Sequence, residues 1–180
     1  LNDDALRFLG RRHTAADALA LIDAAHRMGL HVSADFIYGL PHQTTAHVRD
    51  LCRDINAIGL RHCSMYELTI EPDTPFGKMN LTMPSNEEMA DMYAAIGETL
   101  ALPRYEVSNY ATAHTQCRHN ANIWAGGAYV GLGRGAAGRP LIDGVWYDQM
   151  GAAQRCTPMT SHDRATEKII TGMRTMRGVE

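Results

Sequence analysis

The sequence has no C-x-x-C pair, no cluster of lysine and arginine, and no apolar run of the roughly 18 to 20 residues that a bilayer-crossing helix needs. Each absence removes a class of protein. Without paired spacing, Cys52, Cys63, Cys117 and Cys156 match neither a compact metal site nor a disulfide framework, and reduced thiols are expected. Without a basic patch nothing neutralises several phosphates, and a formal net charge of -3 leaves nucleic acid a poor partner. The opening LNDDALRFLG is charged rather than leader-like, so the cytosol is the expected compartment. What remains is 180 residues, 45% hydrophobic and 21% charged, the composition of a globular chain with one ordinary core. The chain starts at Leu1 in mid-motif and stops just after the apolar helical pattern IITGMRTM, so both ends read as cut.

Helices and strands alternate through the first part. Asp3 to Leu9 reads as a helix end and GRRH as a polar turn. Thr14 then caps a helix to about Met28, whose apolar stripe of Leu19, Ile22 and Ala25 predicts a packed, amphipathic element. Val32 to Tyr38, closed by Gly39 and Pro41, reads as a strand with Asp35 toward its carboxyl end. Thr44 caps a helix from Thr45 to Ile58 that Gly59 stops, and HCSMYELTI follows as a second strand. This order predicts parallel strands joined by a crossover helix, in an incomplete sheet with an open edge. A turn-rich stretch from EPDTPFGKMN onward places a boundary near Lys78, giving residues 1–78 and 79–180 as the two domains. Ser85 and Glu88 form a capping box for a helix to about Leu100. Beyond Pro103, RYEVSNYA, CRHNANIWAGGAYVGLGRGAAGR and GVWYDQM read as short strand-like pieces with glycine-rich turns, and a last helix starts near His162. The fold class is α/β followed by a smaller α+β appendage.

Candidate chemistry is sparse. Asp35 lies inside an otherwise apolar strand, where a buried carboxylate needs a partner; a polar ligand at the strand end and a capped neighbouring turn both supply one. Arg11 and Arg12 precede a helix, where one guanidinium could grip a carboxylate bidentately, or both could simply be solvated. In CRHN, His119 is the candidate metal ligand, and the nearby Trp124 and Tyr129 offer flat apolar surface; the bland alternative is a hydrogen-bonded loop histidine. GLGRGAAG, residues 131 to 138, lacks a Walker lysine and a G-x-G-x-x-G spacing and is read as a turn rather than a phosphate loop.

LNDDALRFLGRRHT, DFIYGLPHQT, SMYELTIEPDTPF, YEVSNYA and CRHNANIWAGGAYVGLGRGA, in this order, resemble successive signatures of the family of HemW-type heme chaperones and oxygen-independent coproporphyrinogen oxidases. They cover nearly the whole chain. CRHN, followed by an aromatic and a glycine-rich turn, resembles the chaperone branch more than the decarboxylating enzymes. The resemblance implies the carboxyl-terminal part of a partial (βα)6 radical-SAM, TIM-like barrel with a family-specific appendage, in a protein that uses S-adenosylmethionine, a [4Fe-4S] cluster and heme. By that resemblance Arg11 and Asp35 match positions that contact S-adenosylmethionine, and Thr69 lies beside it, roles that suit a carboxylate fork and an acceptor for ribose hydroxyls.

The branch's H-N-x-x-Y-W motif maps onto His119, Asn120, Ile123 and Trp124, with His119 the implied heme-iron ligand and Asn120 and Trp124 beside it. Ile123 stands where that motif has tyrosine, Ala137 where the family has histidine, and Arg134 where it has a small residue or proline. The cluster's C-x-x-x-C-x-x-C motif is absent, so this chain alone is expected to be catalytically inert. The implied function is heme binding and delivery to a respiratory acceptor, which could bring the protein to a membrane surface. The alternatives are radical decarboxylation of coproporphyrinogen, or a purely structural piece in which His119 bonds a backbone carbonyl.

Overall fold

A computed structural model of the protein describes residues 1–151 and 155–179. The chain divides into two compact units, Leu1–Arg104 with Ser108–Thr115, and Tyr105–Val107 with Gln116–Glu180.

In the first unit, α1 (Asp3–Phe8), α2 (Ala15–Arg27), β1 (Ser33–Tyr38), α3 (Thr45–Ile58), β2 (His62–Glu67), α4 (Asn86–Thr99) and β3 (Asn109–Ala111) follow one another, with a single 3-10 turn at Phe76–Lys78. The caps expected from the sequence start the longer helices. Thr14 N donates to Asp17 Oδ2 at 2.8 Å while Asp17 N donates to Thr14 Oγ1 at 3.1 Å, and the same reciprocal box forms at Thr44 and Ser85. Gly59 ends α3 at φ 75°, a left-handed conformation that a side chain would strain. The crossover through α3 makes β1 and β2 parallel, in register from Ser33 opposite His62 to Tyr38 opposite Glu67. β3 adds an antiparallel strand, with Ser64 opposite Asn109, and the sheet order is β1-β2-β3.

Helices cover one face of this sheet. Val48, Cys52 and Ile55 of α3 and Met92 and Ile96 of α4 meet Phe36, Cys63, Met65 and Tyr110 in one apolar cluster. Each of the valine, isoleucine, phenylalanine and methionine side chains among them contributes about 1.5–3 kcal/mol by leaving water. A polar clip adds direction: Asn56 donates to Thr99 O at 2.9 Å and accepts from Ala101 N at 2.8 Å. Packing therefore places α4 with the first unit, although the turn-rich texture near Lys78 separates it in the sequence. In α2 no residue is buried, in contrast to the packed helix its stripe predicts. The stripe is only partly covered: Leu19 and Ile22 line a shallow cleft of about 570 Å³ with Ala57 and Ile58 of α3, and Leu19 stays 38% exposed.

The second unit holds α5 (Arg118–Trp124), β4 (Leu141–Ile142), β5 (Val145–Met150), β6 (Arg155–Pro158) and α6 (Ser161–Gly172), with an antiparallel sheet in the order β4-β5-β6. Two expectations are corrected here. CRHNANIW is a helix rather than strand pieces: Ala121 N donates to Cys117 O and Ala125 N to Ala121 O, and Gly126 at φ 70° ends it. RYEVSNYA is not one strand either. Only Asn109–Ala111 joins β2, whereas Tyr105–Val107 pairs with the segment after α6, through Val107 N to Arg174 O at 2.9 Å and Met176 N to Tyr105 O at 3.2 Å. Among the described residues no helix is long and apolar enough to cross a membrane.

Candidate functional site

The face of the first sheet turned away from α3 and α4 carries most of its polar side chains. Strand alternation puts Ser33, Asp35 and Ile37 of β1 on one side with His62, Ser64 and Tyr66 of β2 and Asn109 of β3. Ser33 Oγ lies 2.7 Å from His62 Nδ1, and Ser64 Oγ donates to Asn109 Oδ1 at 2.8 Å. His62, Ser64 and Asn109 are buried, at 8%, 3% and 4% exposure. Withdrawn from water, these side chains are satisfied by hydrogen bonds within the protein, and Ser33 and Asp35 are the exposed polar side chains of β1 on that face. Sequence reading singled out Asp35 alone, because Ser64 and Asn109 carry no motif and meet only through the β2–β3 register.

Asp35 itself is exposed and is the third residue of β1, not a buried carboxylate at the strand's end. The reason is the alternation just described: Phe36 and Tyr38 turn toward α3 and α4, and Asp35 turns to the other face. Arg11 is an exposed side chain just past α1, its backbone N–H donating to Leu6 O at 2.8 Å, and Thr69 is exposed two residues beyond β2. The three residues assigned to S-adenosylmethionine thus stand on three separate segments of one unit. Of these, only Asp35 belongs to the polar sheet face. The cleft between α2 and α3 is lined by none of them.

The cysteines do not form a cluster site. Burial pushes the Cys52 thiol up to about 11 and the Cys63 thiol up to about 12, within the apolar core. Cys117 precedes α5, and Cys156 is exposed on β6. Among the described residues no group of three histidine, cysteine, aspartate or glutamate side chains could hold a metal ion.

In the second unit, α5 splits its motif between two faces. His119 is exposed, with the Tyr129 ring edge-on at 6.5 Å between centroids, and no hydrogen bond ties it to a backbone carbonyl among the described residues. Ile123, one turn on, shares its side. Asn120 and Trp124 lie on the adjacent face and are half-buried. The Asn120 side chain hydrogen-bonds Tyr105, and the Arg174 guanidinium stands 4.8 Å above the Trp124 ring, so one aromatic face of Trp124 already has a partner. The Trp124 indole N–H is buried without a hydrogen-bond partner among the described residues. Tyr105, whose hydroxyl burial pushes up to about 12, was not a sequence candidate; a tyrosine opening a strand-like run carries no signal of such a contact.

The glycine-rich segment is a closed turn. Tyr129 and Arg139 pair across it, Gly131 N donates to Gln149 Oε1 at 3.0 Å, and Gln149 Nε2 donates to Gly131 O at 2.9 Å. A Cβ on Gly138 would come within 2.2 Å of Gln149 Oε1, so the backbone approach that glycine permits here is made to Gln149 rather than to a phosphate. Ala137 and Arg134 are exposed on the same turn, as are Val130 and Leu132 at 62% and 88%.

No protein-family model matches the chain. It is similar to the heme chaperone HemW of Haemophilus influenzae, 37% identical over 142 residues that span 77% of this chain and 37% of that protein. It is also similar to the heme chaperone HemW of Bacillus subtilis, 30% identical over 199 residues that span 98% of this chain and 52% of that one. The chain therefore spans about half or less of the length of these relatives. Its fold is that of the coproporphyrinogen III oxidase HemN from Escherichia coli, a radical SAM enzyme, with a TM-score of 0.73 over 97% of this chain and 48% of that one at 16% identity. A mixed α/β chain with a parallel β1–β2 pair, aligned along three quarters or more of its length with these relatives at 30–37% identity, belongs to the HemW family.

Proposed function

We propose that the whole protein is a heme-binding chaperone of the radical-SAM type and that His119 is its heme-iron ligand. The observation that carries this reading is the exposed imidazole of His119 with the Tyr129 ring edge-on beside it. A porphyrin needs a nitrogen donor for its iron and flat apolar surface for its ring; the imidazole offers the first and the Tyr129 ring beside it part of the second. Asn120 and Trp124 form the inner side of the same helix.

The polar sheet face around Asp35 is then the wall turned toward S-adenosylmethionine. Asp35 accepts from hydroxyl groups there, Arg11 grips a carboxylate and Thr69 sits alongside. When bound, a [4Fe-4S] cluster would anchor S-adenosylmethionine through its amino and carboxylate groups, and this sequence has no C-x-x-x-C-x-x-C run to hold it. Delivery goes to a heme-accepting respiratory protein from the cytosolic side, with membrane contact made through that acceptor.

Titration of the chain with hemin, followed by the Soret band, tests the ligand. Wild type is expected to bind with a shifted band and His119→Ala to lose the shift; identical titrations would remove the assignment. A second reading, radical decarboxylation of coproporphyrinogen, is favoured by the fold likeness alone. Protoporphyrinogen formation by the cluster-loaded whole protein would establish it and sink the chaperone reading.

A further inference from the structure

A helix of seven residues does not stand by itself in water, so the direction in which His119 points depends on what grips α5 from the other side. Two grips exist. At the start, Cys117 has no side-chain cap, and its backbone N–H donates to Tyr105 Oη at 3.2 Å. The Asn120 side chain hydrogen-bonds the same hydroxyl. One phenol oxygen thus satisfies an amide that the helix start leaves open and holds a side chain one residue from the imidazole. At the end, Trp124 lies under the Arg174 guanidinium.

Both grips come from one piece of structure. Tyr105 and Arg174 belong to the two segments that pair through Val107 N to Arg174 O and Met176 N to Tyr105 O. Asn120 and Trp124, four residues apart, share the helix face that turns toward this pairing. His119 and Ile123, each one residue earlier, share the neighbouring face.

We infer that Tyr105 is the positioning residue for His119: its hydroxyl sets the roll of α5 so that Asn120 and Trp124 are spent on anchoring and the imidazole faces outward. The inference rests on the reading of His119 as the heme ligand. It assigns Asn120 to the support of the site rather than to contact with the porphyrin. It also gives a reason why Ile123 can stand on the outward face without disturbing the helix, since neither grip involves it.

Tyr105→Phe tests this, because it keeps the ring and removes only the oxygen. Amide hydrogen exchange is expected to speed up at Cys117 and the first turn of α5 while β5 and α6 keep their protection. Hemin affinity is expected to fall about tenfold, the usual scale for removing a group that orients a metal ligand. The bound ferric heme should also show a larger high-spin fraction in its absorption spectrum. Unchanged exchange at the start of α5 would overturn the anchor, and faster exchange with wild-type affinity and spin state would overturn the positioning role. His119→Ala separates the two readings. A defect there with a silent Tyr105→Phe removes only this inference, whereas wild-type hemin binding by His119→Ala removes the ligand and the positioning role together.

Discussion

The two units are held together by different physics. In the first, the most deeply buried side chains are apolar: Val48, Cys52, Ile55, Cys63, Met92, Ile96 and Tyr110 are essentially removed from water. In the second, the side chains buried among the described residues are Glu106, Gln149 and Pro140, together with the glycines 131, 138 and 172. Its order comes from directed polar contacts instead. Gln149 closes the glycine-rich turn, and Arg139 bonds Asp148 at 2.6 Å and Glu167 at 2.5 Å. Arg164 pairs with the same Glu167, donates to Gly126 O at 2.7 Å and stacks 3.7 Å above Trp146. Apolar burial tolerates approximate geometry, whereas a polar network is stable only when its members are all satisfied. The candidate heme ligand sits in the unit that depends on the second kind of order.

That contrast can be broken from either side. Ile55→Ala should have the largest effect, a loss of about 2–5 kcal/mol in urea unfolding, because α3 cannot close the cavity without leaving the sheet; a loss below about 1 kcal/mol would mean that the first unit is not held by this core. Gln149→Leu should cost about 1–3 kcal/mol by leaving the Gly131 amide and carbonyl unpaired. Its damage should stay in the second unit, as read by hydrogen exchange, and equal loss of protection in α3 would contradict the division. The smallest effect concerns acid. Hydrogen bonds from Thr14, Ser85 and Thr160 hold Asp17, Glu88 and Asp163 below their usual values of 3.8, 4.5 and 3.8. Depressed carboxylates stabilise the folded chain fully above those usual values, and the contribution is lost as pH falls through the lower folded values. The thermal midpoint should therefore drop modestly below about pH 4.5, and the triple variant Asp17→Asn, Glu88→Gln, Asp163→Asn should flatten that drop; an unchanged slope would show that other carboxylates control it.

The same division decides how much could be read in advance. α3 and α4 announce themselves through Thr44, Gly59 and the Ser85–Glu88 pair, because caps and apolar period act over a few neighbouring residues. The β1–β2 pair follows from the crossover between them. α5 was missed because its glycine-rich surroundings and short length hide a helix supported by Tyr105, Arg164 and Arg174, all outside its own segment. Asp35 was found but misplaced, since which face of β1 is covered depends on α3 and α4 and not on β1 itself. Ser64 and Asn109 could not be singled out at all, being neighbours only across the β2–β3 register.

By itself the sequence determined the starts and stops of α2, α3 and α4, the parallel strand pair, the family and the residues in which its chemistry could lie, since each is written in local pattern or in shared motifs. Tertiary structure decided which face of the first sheet is polar, that α4 packs against α3, that the glycine-rich turn closes on Gln149, and that His119 faces outward while Asn120 and Trp124 face Tyr105 and Arg174. Those outcomes depend on partners far apart along the chain, whose contacts form only once burial and hydrogen bonding are satisfied together.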